Sequence, residues 1–84
     1  MIFKIDWTEK SLRQLNNLDQ VISSRIVKKI NELREEPFYK IKRLKGIGAF
    51  SLRIGDYRVI LDIDVNNKII YILKIGHRKN IYDK

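Results

Sequence analysis

The pair Gly55-Asp56 constrains this chain more tightly than any other two residues. It divides Phe50-Ser51-Leu52-Arg53-Ile54 from Tyr57-Arg58-Val59-Ile60, two stretches with the composition of strands. Glycine accepts the positive φ that a two-residue hairpin loop needs. Once those residues form the loop the register follows, with Ile54 opposite Tyr57 and Arg53 opposite Arg58. Like charges facing one another across paired strands destabilise a sheet. The chain already carries 18 Lys and Arg against 10 Asp and Glu, a formal net charge of +8. A sequence shaped for folding alone does not favour that pairing, so both guanidinium groups are expected to face something anionic. The plainer alternative is a pair of solvated arginines that serve only solubility.

The rest of the chain supplies a frame for this hairpin. Ile2–Asp6 reads as a short strand. Thr8 can cap a helix carrying Leu12, Leu15 and Leu18. Asp19 offers a second N-cap, and Ile22, Ile26, Ile30 and Leu33 form one apolar stripe through the next helix. Pro37 stops that helix no later than Glu36. Beyond it the period changes. The basic run Lys40-Ile41-Lys42-Arg43-Leu44-Lys45 leads into a loop marked by Gly46 and Gly48. Strands are then expected at Phe50–Ile54, Tyr57–Val65 and Lys68–Ile75, the last two joined by Asn66-Asn67. The expected architecture is α+β: an N-terminal strand, a two-helix hairpin and a three-stranded antiparallel meander, as one domain over residues 1–84.

Charge and size narrow the function. At 84 residues the core is near the lower limit for independent folding, and a partner chain covering apolar surface is expected. A strongly basic chain suits a polyanion, most simply nucleic acid. No long apolar run favours a membrane, and Met1-Ile2-Phe3-Lys4-Ile5 lacks the plan of a signal peptide, so a cytoplasmic protein is expected. One histidine, no cysteine and scattered carboxylates at Asp62, Asp64 and Asp83 give no metal-ligand constellation, and no cofactor is expected. Gly46-Ile47-Gly48 lacks the residues of a nucleotide-binding phosphate loop.

Taken in order, Leu44-Lys45-Gly46, the hairpin Phe50–Ile60, Ile75-Gly76-His77-Arg78-Lys79 and Ile81-Tyr82 resemble the RelE/ParE superfamily of toxins, the RelE branch more than the ParE branch. That resemblance implies a RelE-like fold and a ribosome-dependent endonuclease that cuts messenger RNA in the A site. It also implies neutralisation by a RelB-like antitoxin in a hetero-oligomer. Carried over residue by residue, it places Arg53, Arg58 and Arg78 in the active site and makes Tyr82 a catalytic or base-stacking tyrosine. Ser51 departs from the pattern, since well-studied members carry a lysine there.

Such chemistry needs a base for the ribose 2′-hydroxyl, cations for the phosphate in the transition state and an acid for the leaving oxygen. Arg53 and Arg58 suit the second role, because guanidinium stays charged and grips phosphate in two places. His77 can exchange a proton near neutrality. With a two-residue Asn66-Asn67 loop, Arg58 falls opposite Ile75 and His77 shares its face, making His77 a base or acid beside Arg58. The other reading is a half-exposed histidine at a strand end. The same register sends Arg78 to the opposite face unless Gly76 carries a bulge. Lys40, Lys42, Arg43, Lys45 and Lys79 read as RNA-contacting charges, with Lys45 or Arg43 as substitutes for the missing base. Two rivals stand beside the RNase reading: a ParE-like inhibitor of DNA gyrase, and a basic RNA-binding module without activity.

Overall fold

The computed structural model describes residues 2–44, 48–77 and 79. Strand β1 (Lys4–Trp7) leads into helices α1 (Glu9–Asn16) and α2 (Gln20–Glu32). Four strands follow: β2 (Ile41–Arg43), β3 (Phe50–Ile54), β4 (Tyr57–Asp64) and β5 (Ile69–His77). They form one sheet in the order β1-β5-β4-β3-β2, with β1 parallel to β5 and every other neighbour antiparallel. The α+β fold and the meander are as expected. The meander gains one strand, because β2 pairs with β3 along its outer edge through Ile41–Leu52, Lys42–Ser51 and Arg43–Phe50. Three residues, two of them charged, show no alternation that would announce a strand; pairing with β3 creates it.

The helices begin as their caps dictate. Thr8 takes extended angles, and its hydroxyl accepts from the Ser11 N–H at 3.2 Å. The same hydroxyl donates to the Ile72 carbonyl at 2.7 Å, which ties the start of α1 to β5. Asp19 stands at the N-cap of α2 without a side-chain capping bond. Helix α2 ends at Glu32, a turn earlier than proline alone requires, and lays Ile26 and Ile30 fully buried on the sheet. They meet Leu52, Ile54, Val59, Leu61, Ile70, Ile72 and Ile75 in a single core. Completely burying such a side chain contributes about 1.5–3 kcal/mol.

Two turns set the register of the meander. At Gly55-Asp56 only Gly55 has positive φ (+59°), the pattern of a type II′ turn, and Arg53 pairs with Arg58 as expected. The β4–β5 connection differs from expectation. Asp64 pairs with Ile69, so the loop runs over 65–68, and Lys68 rather than an asparagine takes the left-handed angle, at φ 59°. Asp64 organises this loop by accepting from the Asn67 amide side chain at 2.8 Å and its backbone N–H at 3.1 Å. Further along, the register slips at Ile60/Leu61. Leu61 pairs with Ile72 and Ile60 with Lys74, so Leu73 is the extra residue of a bulge. That insertion reverses which face each later β5 residue occupies.

Candidate nucleic-acid interface

The bulge decides what stands beside the paired arginines. Arg58 is opposite Gly76 rather than Ile75, and His77 is opposite Tyr57. The His77 and Tyr57 rings meet edge to face with centroids 5.5 Å apart, and Tyr57 packs against the core. The expected placement of His77 beside Arg58 is therefore corrected: the two sit on opposite faces of the sheet. Ile75 turns inward to the core, and opposite Arg58 lies a residue without a side chain.

On the face turned away from the helices, Lys40, Ile41, Lys42, Ser51, Arg53 and Arg58 line a cleft of about 340 Å³. Each member is held by an element. Arg53 and Arg58 come from the two arms of the hairpin, and Arg53 is steadied by donation from its Nε to the Gly55 carbonyl at 3.3 Å. Lys42 comes from β2, directly opposite Ser51, whose residue exposure is 2%. The small hydroxymethyl side chain leaves the floor of the cleft low. Lys40 stands just ahead of β2 at φ 67°, its ammonium 5.4 Å from the Tyr39 ring centroid. Beside the cleft, Ala49 and Ile60 are buried with Leu44 and Leu73 against them, giving the cationic site an apolar flank.

The electrostatics of the cleft are one-sided. Among the described residues the ion pairs are Arg13–Glu9 at 3.8 Å and Lys29–Glu32 at 3.9 Å, both on the helices. No described carboxylate neutralises the cleft cations at that range. Arg58 Nε is buried and has no hydrogen-bond partner among the described residues. A buried donor left unmade costs about 1–3 kcal/mol, more when charged, so its persistence calls for an acceptor supplied from outside.

The structure separates other residues that the sequence grouped together. Arg43 leaves the basic run for the opposite face, where its guanidinium lies 5.2 Å from the Phe50 centroid. Lys79 is exposed, and its N–H donates to His77 Nδ1 at 3.3 Å. Lys45, Arg78 and Tyr82 lie outside the described residues. Lys74 was missed: it completes a row Lys42–Ser51–Ile60–Lys74 across four strands. Only knowledge of the bulge would have shown it, since an uninterrupted register turns Lys74 the other way.

The domain thus sets its helices on one sheet face and, on the other, a cleft of arginine and lysine side chains with no described carboxylate in ion-pair range. Residues 5–82 match the family described as the ParE toxin of the type II toxin-antitoxin system parDE, and the chain belongs to that family. Among curated proteins it is similar to Toxin RelG of Mycobacterium tuberculosis, 32% identical over 98% of each chain. It is also similar to the mRNA interferase toxin RelE of Escherichia coli, 22% identical over 94% of this chain and 86% of that one. Among solved structures, the toxin-antitoxin complex RelBE2 of M. tuberculosis contains a chain that superposes with a TM-score of 0.84 at 29% identity, covering 93% of this chain and all of that one.

Proposed function

We propose that this protein is the toxin of a type II toxin–antitoxin pair and a metal-independent endoribonuclease that cuts messenger RNA on the ribosome. It acts in the cytoplasm and is neutralised by a RelB-like antitoxin. The observation that carries this reading is Arg58: a guanidinium opposite a second arginine, without a carboxylate, with a buried Nε left unsatisfied. A phosphodiester supplies the missing acceptors. As the phosphorus becomes five-coordinate its oxygens gain charge, and two fixed guanidinium groups stabilise that state more than the ground state. The similar proteins named as an mRNA interferase and as a partner in a RelBE complex support the substrate and the antitoxin. No helix among the described residues is long and apolar enough to cross a membrane.

Primer extension on a translated message tests this reading. Cuts within codons are expected when ribosomes are present, with no cuts on the same RNA alone. The family description names ParE, which keeps the ParE-like gyrase inhibitor as the rival. Intact messages together with accumulating double-strand DNA breaks would establish that rival instead.

A further inference from the structure

RNA cleavage by the 2′-oxygen needs a group that takes the proton of the attacking hydroxyl. The arginines of the cleft remain protonated in proteins and cannot. The Ser51 hydroxyl is too weak a base, and His77 stands on the other face beside Tyr57. Among the described residues two amines remain in the cleft, Lys40 and Lys42. The Lys40 ammonium is turned to the Tyr39 ring, 5.4 Å from its centroid. Lys42 is fixed differently. Its strand partner is Ser51, directly opposite, and directly paired residues project from the same face about 4.5–5.5 Å apart. The four-carbon stem of a lysine spans that gap, and Ser51 itself is buried at 2% exposure. From there the amine shares one cleft with Arg53 and Arg58.

We propose that Lys42 is the catalytic residue that accepts the 2′-hydroxyl proton, reaching over Ser51 from the neighbouring strand. The inference rests on the endoribonuclease reading above. In the step, Lys42 Nζ accepts the proton as the 2′-oxygen bonds to phosphorus. The bond from phosphorus to the 5′-oxygen breaks, and that oxygen takes a proton from solvent. The products are a 2′,3′-cyclic phosphate and a 5′-hydroxyl, and Lys42 returns its proton to water.

Single-turnover cleavage of a ribosome-bound message, measured across pH, tests the assignment. Lys42→Ala is expected to lose about a hundredfold or more in rate. Lys42→Arg is expected to lose a similar amount, because it keeps the charge but cannot give up its proton, and to abolish the rise of rate with pH. In the Lys42→Ala background, Ser51→Lys returns an amine to the same space and should recover at least tenfold. Should the buried Ser51 position reject lysine, the Ala and Arg variants still decide, since Lys42 is exposed on an edge strand. Near-normal rates for Lys42→Arg, or for Lys42→Ala, overturn the proposal. If Arg58→Ala is slow while both Lys42 variants are normal, the endoribonuclease reading stands and the Lys42 assignment alone falls. If the wild-type protein cuts no message, both fall together.

Discussion

At the scale of single residues, Arg53 and Arg58 share a charge and a register position but have different surroundings. Arg53 is exposed and spends its Nε on the Gly55 carbonyl, whereas Arg58 keeps a buried Nε unspent. Arg58→Ala should therefore cost more in cleavage than Arg53→Ala, on the order of 3 kcal/mol or about a hundredfold in rate. It should raise thermal stability slightly, because it removes an unpaired buried donor and a like charge facing Arg53. Lysine should rescue Arg58 only in part, since an ammonium cannot grip phosphate in two places. His77→Gln, by contrast, should leave the rate within about threefold of wild type and act mainly on packing with Tyr57, where an edge-to-face pair is worth about 0.5–1.5 kcal/mol. A hundredfold loss with a flattened acid limb would restore His77 to the chemistry. The arginine pair was legible in the sequence because Gly55-Asp56 fixes its own register. His77 was misplaced because nothing in the order of residues signals the extra Leu73.

At the scale of elements, the cleft depends on turns and edges. Gly55 combines φ of +59° with a position where a Cβ would lie 3.3 Å from Arg25 Nη1 on α2. Gly55→Ala should destabilise the fold by about 1–2 kcal/mol from the left-handed angle alone, read as a lowered denaturation midpoint. The arginine side chain can swing aside, so the steric share should be small. Deleting Leu73 should be far worse, because it would move Ile75 out of the core and turn Gly76 away from Arg58. The Asp64 loop carries a pH signature. Hydrogen bonds first from the Asn67 side chain and then from its backbone N–H hold the Asp64 carboxyl below its ordinary 3.8. A carboxyl depressed in the folded state adds stability above its unfolded pKa and loses it as pH falls through the folded value. Asp64→Ala should therefore shrink the acid dependence of the melting temperature below about pH 4 and leave its neutral-to-alkaline dependence unchanged. The helices were legible from Thr8 and the isoleucine spacing. Strand β2 was not, since its identity comes from β3 and not from its own three residues.

For the whole molecule, the two faces divide the work: apolar on the helix side of the sheet, cationic on the other. Ile30→Ala, in the helix-side core, should cost about 2–5 kcal/mol, a large part of the stability of so small a domain, and deplete activity only through loss of folded protein. Between α1 and α2 a groove of about 840 Å³, lined in part by Leu15, Leu18 and Val27, remains as apolar surface on the outside. With a net charge of +8, antitoxin binding should weaken with added salt but not vanish, because apolar burial is insensitive to screening. Titration calorimetry giving the same affinity at low and high salt would remove the electrostatic part. The parallel pairing of β1 with β5 carries a further consequence, which concerns time. Lys4 meets Ile69 and Trp7 meets Ile72, so β1 has no strand partner until β5, more than sixty residues further along the chain, is in place. Pairings across such a sequence separation close late and slowly. The complete sheet thus closes only once β5 has formed, while β3 and β4 can already pair through their own two-residue turn.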